Sequence, residues 1–245
     1  MYLRVPELLS LQRPVGEPSV HDEMLFIILQ QAQELWFKQV LFDVRAIVEQ
    51  IGAGDILTAC HLIARTGHIF RILGDEVEIM ESLSPVEFLQ FRGLLTPSSG
   101  FESAQFRELE LASGLHDESY LRIAERVIDL AHFRTRWPVT LREAFLHALR
   151  TTGREPIDAI VEIYSYPGRH QELHALAETL GDYEMSFARW RYRHALLVER
   201  IIGSRSPGTG GSSGTTYLAR TLAYRFFPEL WEARNRLTEE LFRNE

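Results

Sequence analysis

Cysteine is almost missing: Cys60 is the single one in 245 residues. No intrachain disulfide and no Cys-x-x-Cys metal or redox pair can form, which suits a reducing compartment and leaves Cys60 most simply a small core residue. Long apolar runs are missing too. None approaches the roughly 18 to 20 residues that span a bilayer. The opening MYLRVPELLSLQRP has neither the basic start nor the apolar stretch of a secretory signal. Positive charge is in deficit, with 26 Lys and Arg against 34 Asp and Glu for a net charge of -8. Such a surface does not favour nucleic acid as a main partner. These absences lead to the expectation of a cytoplasmic protein with no membrane segment and no nucleic-acid partner.

Proline and glycine are absent from His21 to Ile51, and the apolar residues of that stretch recur at helical spacing. Asp22 and Glu23 stand in its first turn, where the helix dipole favours acids, and Gly52 to Gly54 end it. A second helix is expected over about 56–83, with interruptions possible at Gly67 and Gly74. Ser84-Pro85-Val86-Glu87 reads as a helix start, with Ser as N-cap, Pro at the first position and Glu at the third. Further helices are predicted from near Glu102, over 119–149 as one or two helices with a break near Trp137-Pro138, over 155–166, over 171–203, and from Tyr217 onward with a break at Pro228. No strand set, repeat or interdomain linker is visible. With 45% apolar residues, enough for a sizeable core, the expected fold is all-α, one domain of long packed helices over 1–245.

On the last long helix, Phe187, Trp190, His194, Leu197, Val198 and Ile201 follow an i, i+3, i+4, i+7 rhythm, which puts His194 on the face to be buried. Its plain reading is a core histidine satisfied by a hydrogen bond. Its sharper reading is a metal or haem ligand. No second ligand stands at helical spacing, which disfavours a multi-ligand site, whereas a haem brings its own four nitrogens. Arg189, Arg191 and Arg193 flank it, either as solvated cations or as partners for propionates. The glycine-rich GTGGSSG at 208–214 is neither a Walker A nor a Rossmann fingerprint. It is a flexible linker, or a loop whose backbone and hydroxyls approach a ligand closely. PSSG at 97–100 is similar, and Arg92 precedes it. Arginine suits a bidentate grip on a carboxylate, although Arg92 alone reads as a surface cation.

Together, HDEMLFIILQQAQELWFKQVL (21–41), FRGLLTPSSGFESAQFR (91–107), RWRYRHALLVERIIG (189–203), GTGGSSG (208–214) and RFFPELWEAR (225–234) resemble the tryptophan 2,3-dioxygenase family. The middle, about 108–180, matches poorly and looks shorter than the family pattern. The resemblance implies an all-helical protein with haem b buried between helices. It also implies a homotetramer built as a dimer of dimers, and an enzyme of tryptophan catabolism that inserts O2 into the indole ring of L-tryptophan, giving N-formylkynurenine. By position, His194 matches the proximal iron ligand, Arg92 the residue that pairs with the substrate carboxylate, and Thr209 the one that meets its ammonium. Phe26 matches an aromatic wall of the indole pocket. Ser99 and Gly100 match the loop beside haem and substrate. Tyr2 and Leu3, within an N-terminal segment of about 1–20, match residues that reach a neighbouring subunit's site.

The chain departs from the family pattern where a distal histidine is usual, because Gln30 stands there. A glutamine carbonyl accepts from an indole N–H but does not act as acid or base near neutral pH. Phe88 and Phe106 replace tyrosines, Val77 replaces a tryptophan, and the chain begins late, so that one pocket-lining segment is expected to be missing. These departures motivate an alternative, a haem-dependent monooxygenase of a substituted tryptophan or another aromatic amino acid in secondary metabolism.

Overall fold

The long apolar-periodic stretches fold as the pattern requires. In the computed structural model, which describes residues 2–18, 20–95, 103–205 and 215–243, α1 spans Val5–Leu8, α2 His21–Ala53, α3 Ile56–Met80, α4 Pro85–Arg92, α5 Ala104–Ser113 and α6 Glu118–Ala124. They are followed by α7 Leu130–Arg136, α8 Leu141–Leu149, α9 Pro156–Ser165, α10 Gln171–Ile202, α11 Thr215–Thr221 and α12 Pro228–Arg243. No strand occurs among the described residues. The all-α expectation holds.

Local chemistry accounts for most boundaries. Gly54, at φ 81°, ends α2: its N–H reaches Ile51 and the Asp55 N–H reaches Gln50, the paired bonds of a glycine C-cap. Gly203, at φ 74°, closes α10. α3 runs straight through Gly67 and Gly74, so the interruptions thought possible there do not occur. The stretch expected as one or two helices over 119–149 is three. Asp129 caps α7 by accepting from the Ala131 and His132 N–H groups, and Thr140 caps α8 in a box closed by Glu143.

The described chain falls into two compact units, with the boundary inside α2, α3 and α10. The first comprises Met1–Trp36, Ile72–Ser103 and Arg189–Ala223. Its core includes Leu29, Leu73, Val77, Phe91, Trp190 and Leu197. The second comprises Phe37–Arg71, Ala104–Ala188 and Tyr224–Glu245. Its centre is aromatic: Phe187 lies 4.7 Å from Phe70, 4.8 Å from Phe226 and 5.6 Å from Phe106, ring to ring. Tyr183, stacked at 6.0 Å on Phe226, shares a hydrogen bond of 2.7 Å with Ser113. Such contacts add to the burial of each ring by about 0.5–1.5 kcal/mol per pair.

Candidate active site

Every described candidate from the sequence falls in the first unit: Tyr2, Leu3, Phe26 and Gln30 in its first stretch, Arg92 in its second and His194 in its third. Thr209, Ser99 and Gly100 lie outside the described residues, as do the loops 97–100 and 208–214. Tyr2 and Leu3 are 98% and 71% exposed. Folding thus gathers in one unit residues from three distant parts of the chain.

His194 projects from α10 with its ring half-buried. The imidazole lies nearly parallel to the Trp190 indole, one turn earlier, at 5.5 Å and 14°. Leu197 and Ile201 continue the same face into the core, as the periodicity predicts. The neighbouring arginines diverge. Arg189 is exposed. Arg191 is buried and donates to the Thr221 carbonyl at 3.4 Å, so it is a core residue and not a solvated one. Arg193 pairs with Glu78 at 2.9 Å and faces Asp75 at 3.7 Å. It lies so close over α3 that a Cβ on Gly74 would sit 3.2 Å from its Nη1.

Phe26, half-buried on α2, belongs to a cluster of rings. It lies 5.7 Å from Phe88 and 5.6 Å from Phe91, and those two are 5.3 Å apart. Arg92 follows Phe91 directly and ends α4, where it is half-buried. Phe88, a departure from the family pattern, therefore belongs to the same apolar wall as Phe26. Phe106 does not: it packs in the second unit between Phe37 and Phe187. Val77, fully buried, is a core residue of the first unit.

Gln30 is half-buried and its amide has no hydrogen-bond partner among the described residues. Its neighbour Gln31 is committed: it accepts from the Gln12 side chain and donates to the Leu11 carbonyl at 3.3 Å. Glu23, also buried, accepts the Val15 and Gly16 N–H groups at 2.8 and 3.0 Å. A Cβ on Gly16 would meet that carboxylate at 2.8 Å, so a side chain there would have to displace the Glu23 carboxylate from these bonds. Residues 11–16 are thereby laid along α2.

Sequence reasoning missed several groups here. Burial pushes the Glu76 carboxyl up, partly offset by a hydrogen bond from Trp36, and its Oε2 is buried without a partner among the described residues. Asp22 reaches across to the start of α4, accepting the Ser84 N–H at 2.9 Å. The only signal for Asp22 was its place in the His-Asp-Glu run, which also suits an ordinary helix start.

The residues present are of the kind that would hold a haem. Among the described residues no group of three or more His, Cys, Asp or Glu is placed to hold an ion. A single imidazole on an apolar face is what a porphyrin iron requires, because the macrocycle brings the other nitrogens. The second unit has a cavity of about 540 Å³ lined by residues including Leu111, Leu115, Leu130, Phe133 and Arg142. None of the candidate residues lines it, and Arg142 is already paired with Glu229.

One unit thus carries an aromatic cluster, an amide acceptor, a guanidinium and an imidazole. Comparison with known proteins identifies the family. A family model described as Tryptophan 2,3-dioxygenase matches residues 1–138 and 149–237. The match therefore runs through most of 108–180, where the motifs alone were poor, and omits 139–148, which includes most of α8. The tryptophan 2,3-dioxygenase of Caulobacter vibrioides is 39% identical over an alignment 257 positions long, covering 96% of this chain and 97% of that protein. That of a Nocardioides species is 40% identical over 249, covering 96% and 93%. That of Kineococcus radiotolerans is 37% identical over 264, covering 96% and 90%.

Proposed function

The chain belongs to the tryptophan 2,3-dioxygenase family, and from that premise we propose how its residues divide the work of a haem-dependent dioxygenase acting on L-tryptophan. The reaction adds both atoms of O2 across the indole C2–C3 bond, which breaks, giving N-formylkynurenine with no external reductant. Haem b, when bound, activates O2.

The protein's share is to bind, orient and exclude water. His194 would hold the haem iron, with Trp190 stacked on its imidazole to fix the ring plane. Phe26, backed by Phe88 and Phe91, forms the flat wall against the indole. The Gln30 carbonyl accepts the indole N–H. Because an amide neither takes up nor releases a proton near neutral pH, Gln30 orients the substrate and moves no proton. Arg92 grips the substrate carboxylate, with Thr209 at the ammonium and Ser99 and Gly100 beside haem and substrate. The observation that carries the reading is the gathering of Phe26, Gln30, Arg92 and His194, from three separated stretches, in one unit. The relatives' names favour dioxygenation over the monooxygenase alternative raised by Gln30.

We further propose a homotetramer, a dimer of dimers, in which Tyr2 and Leu3 reach a neighbour's site. Support comes from apolar side chains that the first unit leaves exposed: Met24, Ile28 and Leu35 on α2, Ile72 and Ile79 on α3, Tyr192 and Leu196 on α10. No helix among the described residues is long and apolar enough to cross a membrane. The single cysteine fits the cytoplasm as the working compartment.

The test is reaction of the reduced, haem-loaded protein with L-tryptophan and labelled O2, read by mass spectrometry. N-formylkynurenine carrying both labelled atoms is expected. A product with one labelled atom, or no turnover despite haem binding, overturns the dioxygenase reading.

A further inference from the structure

The His21-Asp22-Glu23 run opens α2, and each acid reaches away from the helix that carries it. Glu23 is spent on residues 15 and 16, through both of its oxygens. Asp22 Oδ2 accepts the Ser84 N–H at 2.9 Å, and Ser84 is the N-cap of α4. The other oxygen, Oδ1, faces the exposed His21 ring at 3.6 Å.

The start of α4 has the sequence of a capping box, but the box is not closed from within. Ser84 Oγ accepts the Glu87 N–H at 3.4 Å, the first half of the motif. In the second half the Glu87 carboxylate would take the Ser84 N–H. Asp22 holds that N–H instead, and Glu87 Oε2 is buried with no partner among the described residues. The same motif at α8 is the internal control: there Glu143 takes the Thr140 N–H at 2.7 Å and the box closes locally. The reciprocal half of the box that α4 carries in its own sequence has been replaced by a link to α2.

That link bears on the site because α4 is short. It has eight residues and ends in Arg92. At about 1.5 Å per residue, Arg92 lies roughly 12 Å along the axis from Ser84, so a tilt of about 10° at the cap carries it about 2 Å. The flank of the helix, Phe88 and Phe91, rests on Phe26, again from α2. We propose that Asp22 is a positioning residue for the substrate site: by holding the Ser84 N–H it sets the tilt of α4 and so places the Arg92 guanidinium at the substrate carboxylate. This rests on the assignment of Arg92 to that carboxylate. Misplacement of an orienting group by about 1 Å costs on the order of a hundredfold in reaction rate and correspondingly less in binding, whereas the helix itself survives, because Glu87 is at hand to close the box.

The experiment compares Asp22→Ala, Asp22→Asn, Arg92→Ala and the Asp22→Ala/Arg92→Ala pair as haem-loaded proteins. Calorimetry gives the dissociation constants of L-tryptophan and of tryptamine, which keeps the indole and ammonium but lacks the carboxylate. Asp22→Ala is expected to weaken L-tryptophan about tenfold and tryptamine less than about twofold, with little change in melting temperature. Asp22→Asn, whose carbonyl still accepts the Ser84 N–H, restores affinity to within about threefold of the parent. In the Arg92→Ala background the Asp22→Ala effect disappears, as for residues acting through one group. If Asp22→Ala does not accumulate as folded protein, Asp22→Ser, too short to reach Ser84, takes its place with the same expectations. Equal losses for both ligands, or full additivity of the two substitutions, overturn the proposal and leave Asp22 a general structural residue. Normal L-tryptophan binding by Asp22→Ala alongside a large loss in Arg92→Ala overturns it while sparing the assignment of Arg92. Normal binding by Arg92→Ala overturns that assignment, and the proposal with it.

Discussion

In the second unit the buried acids are matched to donors. Glu184, 3% exposed, accepts both the Phe226 N–H and the Trp231 indole N–H. Glu110 takes Arg107 at 2.7 Å and the Tyr120 hydroxyl at 2.8 Å, and Glu108 takes the Trp137 indole at 2.7 Å and Arg136 at 2.9 Å. The first unit keeps capacity in reserve: Gln30 has no partner among the described residues, and Glu76 and Glu87 each keep an unmatched buried oxygen. Unmatched polar atoms cost stability, about 1–3 kcal/mol when a neutral group is stranded. The second unit also has an unmatched buried atom, the Arg107 Nε donor, so the contrast lies in the acceptors: the second unit matches its buried acids, and the first leaves oxygens open to a ligand.

The largest effect that would break this contrast is at His194. His194→Ala is expected to abolish haem loading, read as loss of the Soret band, while far-UV circular dichroism keeps its helical intensity. An unchanged Soret band and axial ligation would remove His194 from the iron. Phe187→Ala does the reverse. It removes a ring that is 1% exposed at the centre of the second unit and is expected to cost about 3–5 kcal/mol in denaturant unfolding. The molecules that stay folded should bind haem as the parent does. A loss under about 1 kcal/mol would mean that the aromatic centre is not the scaffold's keystone.

Glu184 sharpens the comparison through pH. Burial holds its carboxyl above the usual carboxylate range, with the Trp231 and Phe226 hydrogen bonds pulling the other way. The folded state therefore binds this proton more tightly than the unfolded chain does. The stability it contributes is fully present below the unfolded value, about 4.3, and is lost as pH rises through the folded pKa. The stability of the parent relative to Glu184→Gln is accordingly expected to fall from about pH 4 towards neutrality. A difference that stays flat across that range would show that burial does not raise this group. Glu76, pushed in the same direction, is present in both proteins and cancels.

The smallest expected effect is at Arg193. Its partners Glu78 and Asp75 are largely exposed and its own side chain is 44% exposed, so Arg193→Ala should cost no more than about 1 kcal/mol. A larger loss, or a drop in haem affinity, would make its close passage over Gly74 part of the site's support.

Much of this was legible before any coordinates. Helical spacing marked the buried stripe Trp190-Leu197-Ile201 and set His194 on it, because burial on a helix repeats every 3.6 residues whatever packs against it. Glycines at 54 and 203 and the serine at 84 announced helix ends, since caps are made between residues a few positions apart. Motif resemblance named the candidates Phe26, Gln30, Arg92 and His194. Other features were not legible. The three helices over 119–149 depended on which of several capping residues, Asp129 and Thr140 among them, found its amides. Arg191 reads in sequence as a solvated cation or a propionate partner and is a core residue in the fold.

What the sequence by itself determined are the properties written in local spacing: an all-helical chain, its principal breaks, its apolar faces and its family. Only the tertiary structure decided which polar groups meet. Asp22 displaces Glu87 at the cap of α4, Gln31 is spent on residues 11 and 12 while Gln30 is left available, and Phe106 joins a different unit from Phe26. The physical reason is range. Helix spacing and capping act over a few residues and are encoded where they act. A hydrogen bond such as that from Ser84 to Asp22 exists only when the packing of separate apolar faces has brought both ends together, and no local pattern records that outcome.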